Sequence, residues 1–314
     1  MNKRLSVLIS SIIAVGCIAL LVGSGAVLAD NGLHDQESLT EADVCAGCHR
    51  AHTAKSLKLL SAESEPQLFC FVCHDGSGAE TDVVNGELVG DSYGTMGAGL
   101  RGGGFSKAKM DIDHDGVIES GNVTSTHAAD GVTQGMMWGS GSINSEEDYG
   151  VLTALACEDC HNPHGNGNYR ILRGRPSVME ERETASPVDV PDEVGAITYE
   201  ITYTPSNYRD LSYVPAELDE WCAQCHTRYN APANSGHQDS GDMVFAYRHA
   251  TETIGGGCLA CHVSHGTSAA MGTYSSAMLY PDPNQGAEGS ALLALNNRAV
   301  CLAQCHSAAT LSED

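Results

Sequence analysis

The chain has 314 residues, with 16 Lys and Arg against 40 Asp and Glu, and a formal net charge of −24. This excess of acid argues against proteins that bind the phosphate backbone of nucleic acids, because such binding needs positive charge. Only 5% of the residues are aromatic while 35 are Gly, so large side chains are too few for an ordinary core of this size. Another component has to fill the interior.

Residues 1–29 are predicted to be a secretory signal peptide. Lys3 and Arg4 precede an apolar run from about residue 5 to residue 22, and small residues lead to a cleavage point after Ala29. The alternative is an uncleaved membrane anchor, because the apolar run is long enough to span a bilayer. The charge pattern and the small-residue exit favour cleavage and export.

Cys17 suggests a lipoprotein site, but cleavage there would fall inside the apolar run, so we discount it. Residues 30–314 are then predicted to form a single exported domain. Without the signal peptide the formal charge is −26 and 12 cysteines remain. The protein is therefore expected to be acidic and rich in cysteine.

The remaining cysteines fall in six pairs, and a histidine follows each pair at once. The six groups are Cys45, Cys48 and His49; Cys70, Cys73 and His74; Cys157, Cys160 and His161; Cys222, Cys225 and His226; Cys258, Cys261 and His262; and Cys301, Cys305 and His306. Five of them are C-x-x-C-H, the attachment signature of c-type haem, and the sixth has one extra residue. We refer to them as motifs 1 to 6. We predict six covalently bound haem c groups, with these cysteines as attachment residues and these histidines as iron ligands.

The spacing suits the chemistry of haem attachment. Cysteines three or four positions apart share one face of a helical turn, so both can reach one edge of a porphyrin while the adjacent histidine turns towards the iron. Disulfides are common in secreted proteins, and structural zinc needs four Cys or His ligands per ion. Neither accounts for a histidine after every pair, so haem attachment is the preferred interpretation.

Other histidines are expected to supply the second axial ligand of each iron. The predicted set is His52, His127, His164, His237, His249 and His265. Three of them complete a C-x-x-C-H-x-x-H pattern, namely His52, His164 and His265. Because a haem attached at such a motif covers its own side of the turn, this second histidine should ligate a neighbouring haem.

The choice of the sixth distal ligand lies between His127 and His114, and we prefer His127. His114 falls within a D-x-D-x-D-G sequence that begins like a calcium-binding loop. Position 12 of that loop is Asn122, where a bidentate Glu is expected. Two interpretations stay open. The loop either binds calcium through Asp111, Asp113 and Asp115 or is a solvated acidic turn.

Two histidines on every iron would leave no open position for a substrate. The sequence therefore predicts an electron carrier and not an enzyme. A multihaem reductase is the less favoured alternative, since no C-x-x-C-K motif is present. Met136 or Met137 could ligate iron and raise its potential, but packing is the better interpretation when spare histidines exist.

The expected fold is a mostly irregular multihaem cytochrome, with short helices at the attachment motifs, long loops, a few short strands or a hairpin, and a core of stacked haems. Residues 75–156 carry no motif and are predicted to be a long loop region with little regular structure. Alternating residues over 196–204 predict a strand. Brief helices are expected at the motifs from residue 222 onwards.

The order of the motifs is similar to that of the OmcS-like hexahaem outer-surface cytochromes, which form extracellular electron-conducting filaments. It runs C-x-x-C-H-x-x-H, C-x-x-C-H, C-x-x-C-H-x-P-H, C-x-x-C-H, C-x-x-C-H-x-x-H, and a last site near the C-terminus. The residues around two motifs also resemble those around the corresponding motifs of that family. They are Glu220-Trp221-Cys222 at motif 4 and Asn297-Arg298-Ala-Val-Cys301 at motif 6. The terminal C-x-x-x-C-H departs from the family pattern.

This resemblance implies that His52 coordinates the iron held by Cys258, Cys261 and His262 of the next subunit, in a head-to-tail homopolymer. Such a filament would work outside the cell or at its surface, with other multihaem cytochromes and acceptors such as metal oxides as partners. Surface carboxylates would keep it soluble. The alternative is a monomeric shuttle, periplasmic or at the surface, in which His52 serves a haem of its own chain.

Overall fold

The computed structural model describes residues 34, 42–62, 69–140, 150–179, 187–191, 199–203, 214, 217–231, 238–240, 247–250, 257–271, 289 and 291–304. The predicted signal peptide, His237, Cys305 and His306 lie outside the described residues. None of the helices in the described ranges is long and apolar enough to cross a membrane.

Helices in the described ranges are short, and they occur at the attachment motifs. The α-helices are α1 (Ala42–Cys48), α2 (Phe71–His74), α3 (Cys157–Cys160), α4 (Leu218–Ala223) and α5 (Ala299–Gln304). Short 3-10 turns span Leu57–Leu59, Tyr169–Ile171, Ser177–Met179, Gly257–Ala260 and Asn296–Arg298. Each α-helix contains at least one motif cysteine, and the turn Gly257–Ala260 contains Cys258. The short helices therefore mainly position the motif cysteines.

The strands form small antiparallel pairs in place of one extended sheet. The pairs are β1 (Thr81–Asp82) with β2 (Glu87–Leu88), β3 (Lys107–Met110) with β4 (Glu119–Asn122), β5 (Ser125–Thr126) with β10 (Gly266–Thr267), β6 (Asp130–Trp138) with β7 (Gly150–Ala156), and β8 (Gln238–Asp239) with β9 (Tyr247–Arg248). Four of the five pairs join strands that are consecutive in the chain. The fifth, β5 with β10, joins distant segments.

Two of these pairs place the motifs. The hairpin β6–β7 ends at Ala156, which directly precedes α3 and donates its N–H to the Asp159 carboxylate at 2.7 Å. The pair β5–β10 brings two histidines together, because the His127 N–H donates to the His265 carbonyl at 2.8 Å. The strands therefore set where motif 3 and two candidate ligands lie.

Buried apolar residues form small clusters in the described ranges. The largest contains Ala108, Met110, Val263, Ala294, Leu295 and Val300. The others centre on Leu172, Val190 and Leu218, and on Ile201 and Ala260. Glycine allows close backbone approach between segments: Gly103 has φ +70°, and a Cβ there would overlap the Gly266 carbonyl oxygen. Protein side chains alone supply only a small core.

These features confirm the predicted fold class, an irregular chain with short helices, small strands and long loops. Two details differ from the sequence analysis. The stretch 75–156 is more regular than predicted, since it contains strands β1 to β7. In the predicted strand over 196–204, residues 199–203 are described, and they form an isolated bridge between Glu200 and Leu100 without a longer ladder. Pairing with other segments of the same chain therefore decides where these strands form more than the local alternation of residues does.

Candidate haem-binding sites

Each described attachment motif is a single tight turn. The histidine N–H donates to the carbonyl of the first cysteine at 2.8 Å in motif 1, 2.9 Å in motifs 2 and 3, 3.1 Å in motif 4 and 3.0 Å in motif 5. This hydrogen bond places both cysteines and the histidine on neighbouring faces of one turn. None of the eleven motif cysteines within the described ranges is joined in a disulfide. They are thus available for attachment.

The histidine of each of these motifs has its Nδ1 atom anchored by a hydrogen bond. Backbone carbonyls accept in four cases: those of Lys58 for His49 (2.9 Å), Arg170 for His161 (2.8 Å), Trp138 for His226 (2.6 Å) and Ala291 for His262 (3.0 Å). At His74 the partner is the Thr81 hydroxyl, at 2.9 Å. A carbonyl can only accept, so Nδ1 carries the proton and Nε2 keeps its lone pair for a metal.

Four of these histidines face a second histidine. The ring centroids are 6.2 Å apart for His49 with His164, for His74 with His34 and for His226 with His127, and 6.3 Å apart for His161 with His265. The interplanar angles are 18°, 17°, 42° and 60° respectively. These distances lie within the range of about 4.5–7 Å found for neighbouring aromatic rings in proteins.

The spacing is that of two imidazoles with a metal ion between them. Each metal–nitrogen bond is about 2 Å long and each nitrogen lies about 1 Å from its ring centroid, so the centroids should be about 6 Å apart. Two of the four distal rings are anchored in the same way as the proximal rings. His127 Nδ1 donates to the Ser264 carbonyl at 2.7 Å and His34 Nδ1 donates to the Pro163 carbonyl at 2.6 Å. The residues present therefore fit axial ligation of haem.

The electrostatics keep these rings neutral, as ligation requires. Burial, followed by the charge of His34, lowers the pKa of His74 to about 4. Burial and the charge of His127 lower the pKa of His226 to about 4. For His265, burial and the charge of His161 lower the pKa to about 3. Desolvation therefore disfavours imidazolium at these sites near neutral pH.

The thiols show which motifs are neighbours. Cys70 of motif 2 hydrogen-bonds Cys157 of motif 3, and Cys222 of motif 4 hydrogen-bonds Cys258 of motif 5. The remaining neighbours are also near one another. The Cys48 thiol interacts electrostatically with those of Cys70 and Cys73, the Cys160 thiol does so with those of Cys222 and Cys225, and Cys261 and Cys301 pack against one apolar cluster. Motifs 1 to 5, and Cys301 of motif 6, therefore follow one another in space in the order of the sequence.

Motifs 1, 3 and 5, which carry the second histidine, also share a backbone clamp. The residue after each attachment histidine donates its N–H to a carbonyl farther along the chain: Arg50 to Leu59 (2.7 Å), Asn162 to Ile171 (2.8 Å) and Val263 to Leu292 (2.9 Å). The attachment histidines themselves form bridges with Leu60, Leu172 and Leu293. The chain therefore contains three copies of one structural unit, which we call units 1, 3 and 5.

The second histidines of these units lie in different surroundings. His164 of unit 3 faces His49 of unit 1, and His265 of unit 5 faces His161 of unit 3. Phe105 stacks on His265 with centroids 4.8 Å apart. His52 of unit 1 is exposed at the surface.

The other predicted site residues are distributed as follows. His249 is exposed and donates its backbone N–H to the Tyr229 carbonyl at 2.9 Å. His127 lies opposite His226, whereas His114 is exposed in the acidic loop. His34, which faces His74, was not among the predicted ligands because no motif surrounds it. The only sequence signal for it is that eight histidines remain for six distal positions, so that two are spare and His34 is one of them.

The acidic loop carries the only cluster of three or more possible metal-ligand atoms found in the described ranges. Oxygens of Asp111, Asp113 and Asp115 lie within 4.8 Å of one another. Asp111 is buried and accepts the N–H groups of Asp115 and Gly116, both at 3.1 Å. These bonds already stabilise the turn, and calcium there stays a prediction. No Cys and His cluster suited to zinc occurs in those same ranges.

The comparisons with known proteins agree with this geometry. A family model described as "Doubled CXXCH motif" matches residues 38–79, which contain motifs 1 and 2. No curated protein and no solved structure matches the chain. The matched motif, with the turns and histidine pairs described above, indicates a multihaem c-type cytochrome.

Proposed function

We propose that the chain is an exported hexahaem cytochrome whose haems are all held by two histidines, and that it polymerises head to tail into an extracellular filament that passes electrons to external acceptors. The observation that carries the proposal is the relation between units 1, 3 and 5. When bound, haem would supply reversible one-electron chemistry at each site. Everything else is done by the polypeptide, which attaches, orients and spaces the groups.

A continuous row of sites supports electron transfer as the function. The described attachment motifs follow one another in chain order, with thiols in contact between motifs 2 and 3 and between motifs 4 and 5. The paired histidines would fill both axial positions at four sites. His249 or His237 would serve the site of His306, and His52 the site of His262. Because transfer of an electron breaks no bond, the chain needs rigid positioning and no substrate pocket.

The repeated unit supports assembly between subunits. The second histidine of unit 3 faces the attachment histidine of unit 1, and the second histidine of unit 5 faces the attachment histidine of unit 3. If the pattern continues, the second histidine of unit 1, His52, pairs with the attachment histidine of unit 5, His262, in another copy of the chain. Both histidines are exposed. A contact of this kind joins two different surfaces, so it generates an open chain of subunits when the rotation between neighbours does not close a ring.

Charge supports the same contact. Arg50 and Lys55 are exposed on either side of His52, in a chain with few basic residues. Asp113 and Asp115 are exposed in the acidic loop, and the loop's Ile112 packs against the cluster that contains Val263, next to His262. A basic surface at one end and an acidic loop near the other favour head-to-tail association over random clumping.

Electron microscopy of the secreted wild-type protein, compared with a His52→Ala variant, tests the proposal. We expect filaments from the wild type and dispersed subunits from the variant, each with six covalent porphyrins by mass spectrometry. Lys107→Ala is the control, because Lys107 is exposed on β3, outside both the His52 segment and the acidic loop, and it should form normal filaments. Normal filaments from His52→Ala would overturn the intersubunit bond and favour the monomeric shuttle.

A mixing experiment tests the direction of assembly. A His52→Ala subunit still offers its own unit 5 to a neighbour but cannot bind the next one. Added in small amounts to assembling wild-type protein, it should terminate growth at one end and shorten the filaments. Unchanged lengths would contradict a heterologous contact through His52.

A further inference from the structure

In units 1, 3 and 5 the residue at one equivalent position lies beside the attachment histidine. The residue whose carbonyl accepts the Nδ1–H is Lys58, Arg170 or Ala291, at 2.9, 2.8 and 3.0 Å. Its φ is positive in every unit: 59°, 53° and 52°. The residues that follow, Leu59, Ile171 and Leu292, also have positive φ. Two consecutive non-glycine residues in this region are costly, and the repeated clamp maintains them.

The three side chains at this position differ in charge and in surroundings. Lys58 is exposed and forms an ion pair with Glu158, its Nζ atom lying 2.8 Å from the carboxylate. Ala291 carries no charge. The Arg170 guanidinium lies 3.6 Å from the ring centroid of Tyr199 and 5.2 Å from that of Tyr169. Arg170 is therefore half-buried, with its Nη1 atom fully buried, whereas Lys58 is exposed.

The aromatic contacts fix the position of that cation. Tyr199 packs edge-on against Tyr93 with centroids 4.8 Å apart, and its backbone N–H donates to the Tyr93 carbonyl at 2.9 Å. A guanidinium on an aromatic face is held by cation–π attraction and stacking, which suits Arg better than Lys. Arg170 is thus fixed at both ends, through its carbonyl and through its guanidinium.

The charge of Arg170 reaches both histidines of the pair. The Arg170 carbonyl accepts the Nδ1–H of His161 at 2.8 Å, and the His265 ring lies opposite that of His161 with centroids 6.3 Å apart. A cation held beside this pair favours an extra electron between the two rings, and the partial burial of Arg170 limits screening by solvent.

We propose that Arg170 is a positioning residue that sets the reduction potential of the site between His161 and His265, and makes it the most readily reduced of the sites in units 1, 3 and 5. The site of His49 follows, because Lys58 is exposed and already paired, and the site of His262 is the least readily reduced. This order rests on the haem content of the proposed function.

A potentiometric titration of the complete haem-loaded protein tests this inference, with the six sites resolved by optical and paramagnetic resonance spectra. In Arg170→Gln we expect one site to become about tenfold harder to reduce, which is about 59 mV for one electron. Arg170→Lys keeps the charge and should retain most of the wild-type potential. Mass spectrometry should find six porphyrins in each variant.

Units 1 and 5 provide matched controls. Lys58→Gln should change the reduction equilibrium of its site by less than about twofold, since its charge is solvated and paired. Ala291→Arg should make the site of His262 easier to reduce. If Arg170→Gln leaves all six potentials unchanged, or if Arg170→Lys shifts a site as much as Arg170→Gln, the inference is wrong. Wild-type protein without covalent porphyrin would instead refute the proposed function itself.

Discussion

The rings of His49 and His164 lie 6.2 Å apart and within 18° of parallel, although 115 positions separate them in the chain. Each ring comes from a C-x-x-C-H-x-x-H unit, one from its attachment position and one from its second histidine. The Lys58–Glu158 ion pair joins the same two units at 2.8 Å. The site at His49 therefore depends on contact between units 1 and 3.

The first prediction concerns this pair. His164→Ala should leave the haem at motif 1 attached but with one axial histidine, because its thioether bonds do not involve His164. We expect about one sixth of the haem to become high-spin, and added imidazole to restore the low-spin spectrum. Optical and paramagnetic resonance spectra measure both changes. A fully low-spin variant without added imidazole would contradict the pairing of His49 with His164.

The second prediction concerns His34, which the sequence did not single out. Its ring faces that of His74 at 6.2 Å, and its Nδ1 donates to the Pro163 carbonyl at 2.6 Å. His34→Ala should therefore open one site to carbon monoxide, whereas His114→Ala should open none. The measurement is carbon monoxide bound per protein in the reduced state. Equal binding by the two variants would remove His34 from the set of ligands.

The contrast between His34 and His164 shows what the sequence can and cannot predict. An attachment motif is local, so the residues of motifs 1 to 6 follow from spacing alone. The second histidines of the motifs are also recognisable from spacing, but which site each one faces depends on how the units pack. His34 has no motif, and it reaches His74 only because the Pro163 carbonyl holds its ring. Long-range contacts of this kind leave no periodic trace in the sequence.

The same limit applies to the fold. The short helices follow from the motifs, whereas the strands of 75–156 are rich in glycine and polar residues and show little alternation. The pair β5–β10 forms because distant segments meet, with Gly266 opposite Thr126. The clamp residues Lys58 and Arg170 have positive φ, which propensity would assign to glycine or asparagine. Tertiary contacts override local preference at these positions.

The third prediction tests charge at the proposed subunit contact. Filament assembly should slow as salt is raised, because Arg50 and Lys55 beside His52 are exposed and screened by ions. Lys55→Glu should slow assembly by about tenfold, and Asp113→Lys in the same chain should recover part of the rate. Light scattering measures the rate. Lys107→Glu, at an exposed position on β3, is the control and should leave the rate nearly unchanged.

The fourth prediction concerns the protein without haem. The largest cluster of buried apolar residues in the described ranges has six members. Four are alanine or valine, the other two are methionine and leucine, and none of the six is aromatic. Such a cluster is too small to stabilise a domain of this length alone. The exported chain produced without haem attachment should unfold gradually in urea, as followed by circular dichroism. A sharp transition at native-like stability would show that the polypeptide has an adequate core of its own.

The fifth prediction separates the site of His74 from the other sites. At His49, His161, His226 and His262 a backbone carbonyl accepts the Nδ1–H, and no side-chain substitution removes it. At His74 the acceptor is the Thr81 hydroxyl on β1, at 2.9 Å. Thr81→Val keeps the shape of the side chain but leaves the ring N–H without its acceptor, which costs about 1–3 kcal/mol when the donor is buried. The ring then donates less electron density through Nε2, because the outer hydrogen bond increases the basicity of a ligating imidazole.

We expect one of the six sites to become easier to reduce in Thr81→Val and to return to its wild-type potential in Thr81→Ser, which restores the hydroxyl. Potentiometry of both variants, with porphyrin counted by mass spectrometry, measures this shift. Equal potentials in the two variants would mean that the Thr81 hydroxyl does not influence the iron ligand, and that His74 is held by packing alone.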